Sequence, residues 1–242
     1  MAYLVGIAGE SGSGKGTLAA LLKAHFDEWK VKSHVLSTDD CYRDISYISR
    51  EQRDAFCFDR RRNFDHPDLL DTDKLRTFAH YMKEGRAFSY QNYNFSTHSY
   101  EGLAKIDVPE GLEIGIIEGI YALHDEKLVT MYDYTIFMYT NPVLAALRRV
   151  NRDVVERGRS FEHVMRQIAL TVVPMQQRHA APTRANADDL IKWEGDETED
   201  PDVIKRRLSM IARQRALAMY EEVKGKLLPD VNTGNIKIHG ID

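Results

Sequence analysis

Nine residues, Gly9-Glu10-Ser11-Gly12-Ser13-Gly14-Lys15-Gly16-Thr17, stand between an apolar run at 3–8 and a helical pattern opening with Leu18-Ala19-Ala20-Leu21-Leu22. Strand, glycine loop and helix in that order leave few folds open. Glycines let successive backbone N–H groups turn inward around an anion, and the positive end of the following helix and the Lys15 ammonium meet the same point. An ordinary glycine-rich turn is the competing reading, but it requires neither that lysine nor those flanks. The segment from Gly9 to Thr17 therefore predicts a cradle for the phosphates of ATP or GTP.

Apolar runs recur at 33–37, 113–117, 134–139 and, briefly, 189–191. Their hydrophobicity is continuous rather than alternating, the mark of parallel strands buried on both faces. Helical patterns fall at 15–28, 72–83, 142–156, 160–179 and 202–225, with Asn141-Pro142 as an N-cap followed by a first-turn proline. This alternation predicts an α/β fold with a doubly wound, mainly parallel five-stranded sheet. A length of 242 residues, 43% hydrophobic and 29% charged, suits one large globular domain over 1–242. The net charge of −4 gives no sign of a nucleic-acid or membrane partner. No apolar stretch approaches the roughly 18–20 residues of a membrane span. Cys41 and Cys57 form neither a disulfide framework nor a metal-site spacing and read as reduced thiols, so a cytoplasmic protein is expected.

Two segments break the rhythm. Residues 86–108 carry Phe88, Tyr90, Tyr93 and Phe95 and read as a hairpin excursion. Arg157-Gly158-Arg159-Ser160 stops one helix and starts another, a hinge for a lid over about 150–165. The acidic stretch 194–202 reads as a solvated loop, and Arg60-Arg61-Arg62 as a solvated charge run.

Ligands of open α/β sheets lie at the carboxyl ends of the strands. Strand two ends in Ser37-Thr38-Asp39-Asp40-Cys41-Tyr42. A carboxylate there either takes a proton from an attacking hydroxyl or simply caps the next segment. Strand three ends in Glu118-Gly119, where a carboxylate can hold Mg²⁺, usually through water. Arg148, Arg149, Arg152, Arg157 and Arg159 are set against only Asp153 and Glu156. The i,i+4 pairs Arg149–Asp153 and Arg152–Glu156 can solvate a helix face. The glycine stop between two arginines instead suits guanidinium groups closing over phosphates. His66 and His98, each among polar neighbours, are further candidates for ligand contact.

Read together, these segments resemble the uridine–cytidine kinase and phosphoribulokinase family of P-loop kinases, over about residues 3–192. Beyond the phosphate loop the resemblance is carried by Ser37–Tyr42, Asn63-Phe64-Asp65-His66-Pro67-Asp68, Tyr93-x-Phe95-x-x-His98, Ile117-Glu118-Gly119-Ile120 and the run from Arg148 to Arg159. It implies an ATP-dependent, Mg²⁺-using kinase in which Asp39 is the general base toward a ribose 5′-hydroxyl. It places Tyr42, Asp65, Tyr93, Phe95 and His98 against the nucleoside, together with Arg149, Arg159 and Gln167. It puts Arg152 and Arg157 in a lid by the ATP phosphates and Glu118 at the magnesium position, and it implies assemblies of several subunits. Gly16 departs from the pattern, standing where the family has the serine or threonine that meets Mg²⁺ and leaving Thr17 as the substitute. Asn94, Gln91 and Tyr100 replace an aspartate, a proline and an arginine in the substrate hairpin.

The reaction expected from that resemblance moves the γ-phosphoryl of ATP to the 5′-hydroxyl of uridine or cytidine, as in pyrimidine salvage, with Asp39, Lys15 and Arg157 at its centre. The alternatives are another small alcohol (a sugar phosphate or a vitamin-like alcohol) and a nucleotide-binding module without catalysis. A sugar phosphate calls for more cations in the hairpin than Arg86 and Lys105 supply. A GTPase is disfavoured, since no Asn-Lys-x-Asp segment occurs.

Overall fold

In the computed structural model, which describes residues 1–47, 49, 51–52, 63–94, 99–100, 105–193 and 201–225, the strands run in the order the sequence predicts. They are β1 (Tyr3–Gly9), β2 (Ser33–Ser37), the pair β3 (Phe88–Gln91) and β4 (Lys105–Val108), then β5 (Ile114–Glu118), β6 (Tyr134–Tyr139) and β7 (Asp189–Lys192). The helices are α1 (Lys15–Glu28), α2 (Thr72–Lys83), α3 (Glu126–Val129), α4 (Pro142–Val155), α5 (Phe161–Gln167) and α6 (Pro201–Lys224). Five strands make one sheet in the order β2-β5-β1-β6-β7, every neighbouring pair parallel. The expected hairpin is the antiparallel pair β3–β4.

The continuous apolar runs are explained by cores on both faces. Val5 and Ile7 of β1, with Ile116 and Ile136, meet Leu18, Leu22 and Phe26 of α1 and Leu208, Ala212 and Ala216 of α6. Leu4, Leu36 and Ile117 point the other way, onto Leu75, Ala79 and Met82 of α2. Each such fully buried Val, Leu, Ile, Phe or Met side chain contributes roughly 1.5–3 kcal/mol relative to exposure. The spacings of 3, 4 and 7 along the helices are those of a single buried stripe. The register aligns Glu118 with Ile7 on one side and Ser37 on the other, so β2 and β5 end level at the carboxyl edge and β1 runs two residues further, to Gly9.

At α4 the Asn141 side chain accepts the Val143 N–H at 2.8 Å, with Pro142 in the first turn, as the dipeptide predicts. Gly158, at φ +64°, separates α4 from α5 in a conformation that side chains disfavour. The helix expected at 160–179 is not uniform. After α5 it widens into π turns at Ile168–Val172 and Gln176–Ala180, around Val173–Met175, and closes in a 3-10 segment, Ala181–Asn186. Pro174 lies between the wide turns; it lacks an N–H and its ring crowds the preceding turn, which breaks the regular ladder. The short α3, capped by Asp125, has no counterpart among the sequence expectations. Cys41 is buried and unpaired, its thiol pushed up to about 12 by burial, in keeping with a reduced cysteine. Cys57, Arg60-Arg61-Arg62 and the acidic residues 194–200 lie outside the described residues. Among the described residues, no helix is long and apolar enough to cross a membrane.

Candidate active site

The loop after β1 closes with the Ser13 N–H donating to the Glu10 carbonyl at 3.1 Å, and α1 opens with the Leu18 N–H on the Gly14 carbonyl at 2.9 Å. Gly14 caps α1 at φ +92° and offers no side-chain acceptor to the first helical N–H groups. Those donors are then available to an anion. A Cβ at Gly14 would lie 1.9 Å from the Trp193 ring, so glycine is required both by the backbone conformation and by the approach of the segment after β7. The Arg148 guanidinium covers the same ring at 4.3 Å and reaches the Gly12 carbonyl at 3.4 Å. Lys15 is enclosed. Burial pushes its pKa down, Glu118 and Asp39 push it back up, and Arg152 and Arg149 add to the lowering. An ammonium so placed is stabilised by any anion that joins it.

The carboxylates come from the two strands beside β1. Burial raises the pKa of Glu118, while Lys15 and a hydrogen bond with Ser37 oppose the rise. A side chain at Gly119 would put its Cβ 1.7 Å from the Thr38 hydroxyl oxygen, so this glycine lets the ends of β5 and β2 touch. A Cβ on Gly16 would point at Glu118, 3.9 Å from Oε2, while Thr17 beside it is exposed. The hydroxyl that the family resemblance leads one to expect is thus missing at the position facing Glu118.

Asp39 and Asp40 have different surroundings. Ser37, rather than either aspartate, caps the 3-10 turn Thr38–Cys41, accepting the Asp39 N–H at 3.3 Å. Asp40 accepts the Tyr93 N–H at 3.1 Å, and its carbonyl accepts the Lys74 ammonium and the Tyr100 hydroxyl, each at 3.0 Å. Burial, joined by Asp39 and Glu118, raises the Asp40 carboxyl to about 6, against the pull of the Tyr93 N–H and Lys74. Asp40 therefore fastens the hairpin. Asp39 interacts electrostatically with Lys15, Glu118 and Arg157.

Across the site lies a buried polar network. Asp65 Oδ2 accepts the Thr171 hydroxyl at 2.8 Å and the Gln167 amide at 3.4 Å, and its Oδ1 is 3.7 Å from Arg149. Arg149 also donates to the Ser11 hydroxyl at 3.0 Å, joining this network to the phosphate loop. Arg159 reaches Gln167 Oε1 at 3.3 Å. Asn63 accepts the Asp65 N–H at 2.8 Å, and the Tyr121 hydroxyl donates to the Asp65 carbonyl. The Tyr42 and Tyr93 rings face each other at 5.7 Å, and Tyr100 donates to the Tyr42 carbonyl.

Asp153 is wholly buried and carries Arg149 at 3.6 Å, Arg152 at 2.9 Å, Arg157 at 3.5 Å and Arg159 at 3.4 Å. Burial alone would raise its pKa; the arginines outweigh that and hold it below the usual carboxylate range. The competing reading of Arg149–Asp153 as a solvated helix face is excluded, since both residues are buried. His66 caps the turn at Pro67–Leu69, its Nδ1 accepting the Asp68 N–H at 3.2 Å, and its ring packs 5.0 Å from His179. Phe95 and His98 lie outside the described residues. Thr171, Trp193 and Tyr121 had not been anticipated. Only Thr171 left a signal, four residues after Gln167 on the same helical face.

Among the described residues no three His, Cys, Asp or Glu side chains group closely enough to hold a metal by themselves. Glu118, with Asp39 in its field, is a hard-oxygen set that suits Mg²⁺, which takes one or two carboxylates, phosphate oxygens and water.

The family described as Phosphoribulokinase / Uridine kinase matches residues 4–198. A protein named uridine kinase from Geobacillus kaustophilus is 30% identical over 88% of this chain and 97% of its own length. Another of that name, from Halobacterium salinarum, is 35% identical over 78% of this chain and 79% of its own. By shape, phosphoribulokinase from Rhodobacter spheroides matches with a TM-score of 0.60 at 14% identity, over 82% of this chain and 73% of that one. That last likeness shows the fold.

Proposed function

The chain belongs to the phosphoribulokinase/uridine kinase family and is a P-loop kinase, and from that premise we propose that it transfers the γ-phosphoryl group of ATP to the 5′-hydroxyl of uridine or cytidine. One observation carries the reading: the register sets Glu118 beside Ser37, whose following turn holds Asp39, and Lys15 at the start of α1 interacts with both carboxylates. The uncapped start of α1 and Lys15 hold the β- and γ-phosphates. Asp39 accepts the proton of the attacking hydroxyl as the new O–P bond forms and the bridge to the β-phosphate breaks. General-base assistance of this kind is worth roughly 10²–10⁴ in rate. An acceptor that is already an anion would gain little from such a base.

Asp65, held by Arg149, Gln167 and Thr171, takes the ribose hydroxyls, and Tyr42 and Tyr93 offer their rings to the base. Arg152 and Arg157, in a lid over about 150–165 of a single domain, balance the charge that develops on the phosphoryl oxygens and exclude water. Mg²⁺, held through water by Glu118, would neutralise charge on the phosphates.

A coupled ADP-release assay over nucleosides, sugar phosphates and vitamin-like alcohols tests this. Turnover with uridine or cytidine and none with sugar phosphates is expected. Turnover of another alcohol with no nucleoside overturns the acceptor. ATP binding without turnover on any of them makes the chain a binding module.

A further inference from the structure

Outside that site, α2 and the β3–β4 hairpin border a cavity of about 420 Å³. Phe78, Tyr90 and Tyr100 give it aromatic walls, and Lys74 and Lys105 give it two cations. None of the described residues lining it is acidic. Phe78 and Tyr90 lie 5.5 Å apart with their planes tilted by 40°. The Lys74 ammonium sits 4.0 Å from the centre of the Tyr100 ring and 5.5 Å from that of Phe78. A lysine that only solvated the surface would keep its head in water. Lys74 is half-buried, and burial pushes its pKa down, with Cys41, Asp71 and Asp40 pulling the other way. Lys105 is exposed and has only a loose pairing with Asp107 at 3.9 Å.

We propose that this cavity binds a small planar aromatic anion, its ring among Phe78, Tyr90 and Tyr100 and its charged group between Lys74 and Lys105. The volume falls within the range of small-ligand pockets, roughly 300–1,000 Å³. The aromatic walls provide stacking, and the two ammonium groups provide charge-assisted hydrogen bonds. Neither a bare anion nor an uncharged ring uses both.

The cavity is wired to the acceptor side. Lys74 donates to the carbonyl of Asp40, the residue after Asp39; Tyr100 shares its one O–H between that carbonyl and the nearer carbonyl of Tyr42, and the Asp40 carboxylate holds the backbone of Tyr93. An anion that draws Lys74 toward itself loosens one of the two bonds on that carbonyl. The occupant thus acts on the hairpin without touching the phosphate loop.

The test is a calorimetric titration of the full chain with phenyl phosphate, the phosphate loop being saturated throughout with a non-hydrolysable ATP analogue. Phenyl phosphate is expected to bind saturably, and phenol and inorganic phosphate at least about tenfold more weakly. Benzoate, titrated beside it, separates the two head groups; tighter binding of either acid supports the site and names its anion. Lys105→Glu, at an exposed hairpin position, is expected to weaken binding at least about tenfold and leave affinity for the ATP analogue unchanged. Ser89→Trp, which fills the cavity from its exposed edge, is expected to abolish binding. Phenyl phosphate binding that survives both substitutions, that phenol matches, or that fails to saturate by about 5 mM overturns the proposal.

Discussion

In the proposed mechanism the chain meets phosphate with its backbone, whereas it meets the acceptor with side chains gathered from distant segments. The loop needs a strand, four glycines and the open end of a helix, all within residues 3–28. The acceptor side draws Asp65 from one loop, Arg149 from α4, Gln167 and Thr171 from the helix after the hinge, and Tyr93 from the hairpin. Backbone cradles tolerate change in their surroundings. A buried network of charges does not, because each unpaired member costs about 1–3 kcal/mol or more. The difference teaches where acceptor choice can vary: the departures Gln91, Asn94 and Tyr100 all fall on the side-chain half, and Gly16 alone touches the backbone half.

The largest effect is expected at the seam between the halves. Asp39→Asn is expected to lower turnover at least about a hundredfold, with affinity for ATP held within about twofold; steady-state kinetics and an ATP titration measure both. Near-normal turnover removes Asp39 from the chemistry. Next comes Asp65→Asn, which should raise the acceptor KM about tenfold or more, the loss assigned to a hydrogen bond with a charged partner. If the KM for ATP stays put, the two halves are separable. An equal rise in both shows that the Arg149–Ser11 bond couples them, and the comparison breaks down.

The smallest effect concerns stability. The Asp40 carboxyl rises from 3.8 to about 6 in the folded chain. The native state therefore binds this proton more tightly than the unfolded chain does. Its stabilising contribution is full below about pH 3.8 and is lost as pH climbs through about 6. Asp40→Asn is expected to flatten the fall in melting temperature between about pH 4 and 6.5. The expected change is about 2 °C, a figure discounted because solvent reaches part of the group. An unchanged pH profile would show that the side chain titrates as it does in water.

What the sequence made legible follows the same division. Local rules read local structure well: α1 and α2 have the predicted bounds, the Asn141-Pro142 start is found, and Gly16 faces the carboxylate where a hydroxyl was expected. The two aspartates after β2 could not be told apart by spacing, because what separates them is the Tyr93 backbone, more than fifty residues away. Arg149 and Asp153 had the spacing of a surface pair, and only their burial beneath the loop and the hinge shows otherwise. The ring of Trp193 against Gly14 joins the last strand to the first loop, a contact that no short-range pattern encodes. The π turns around Pro174 were hidden for a different reason, since helical periodicity at this length does not distinguish a wide turn from a regular one.

The carboxylate of Asp153 among its four guanidinium groups has a consequence for nucleotide affinity. Gathering that many like charges is costly unless an anion lies between them, and this protein carries the anion in its own chain. In the proposed mechanism a triphosphate reaching Arg152 and Arg157 meets guanidinium groups already shared with Asp153, so docking becomes a change of partner.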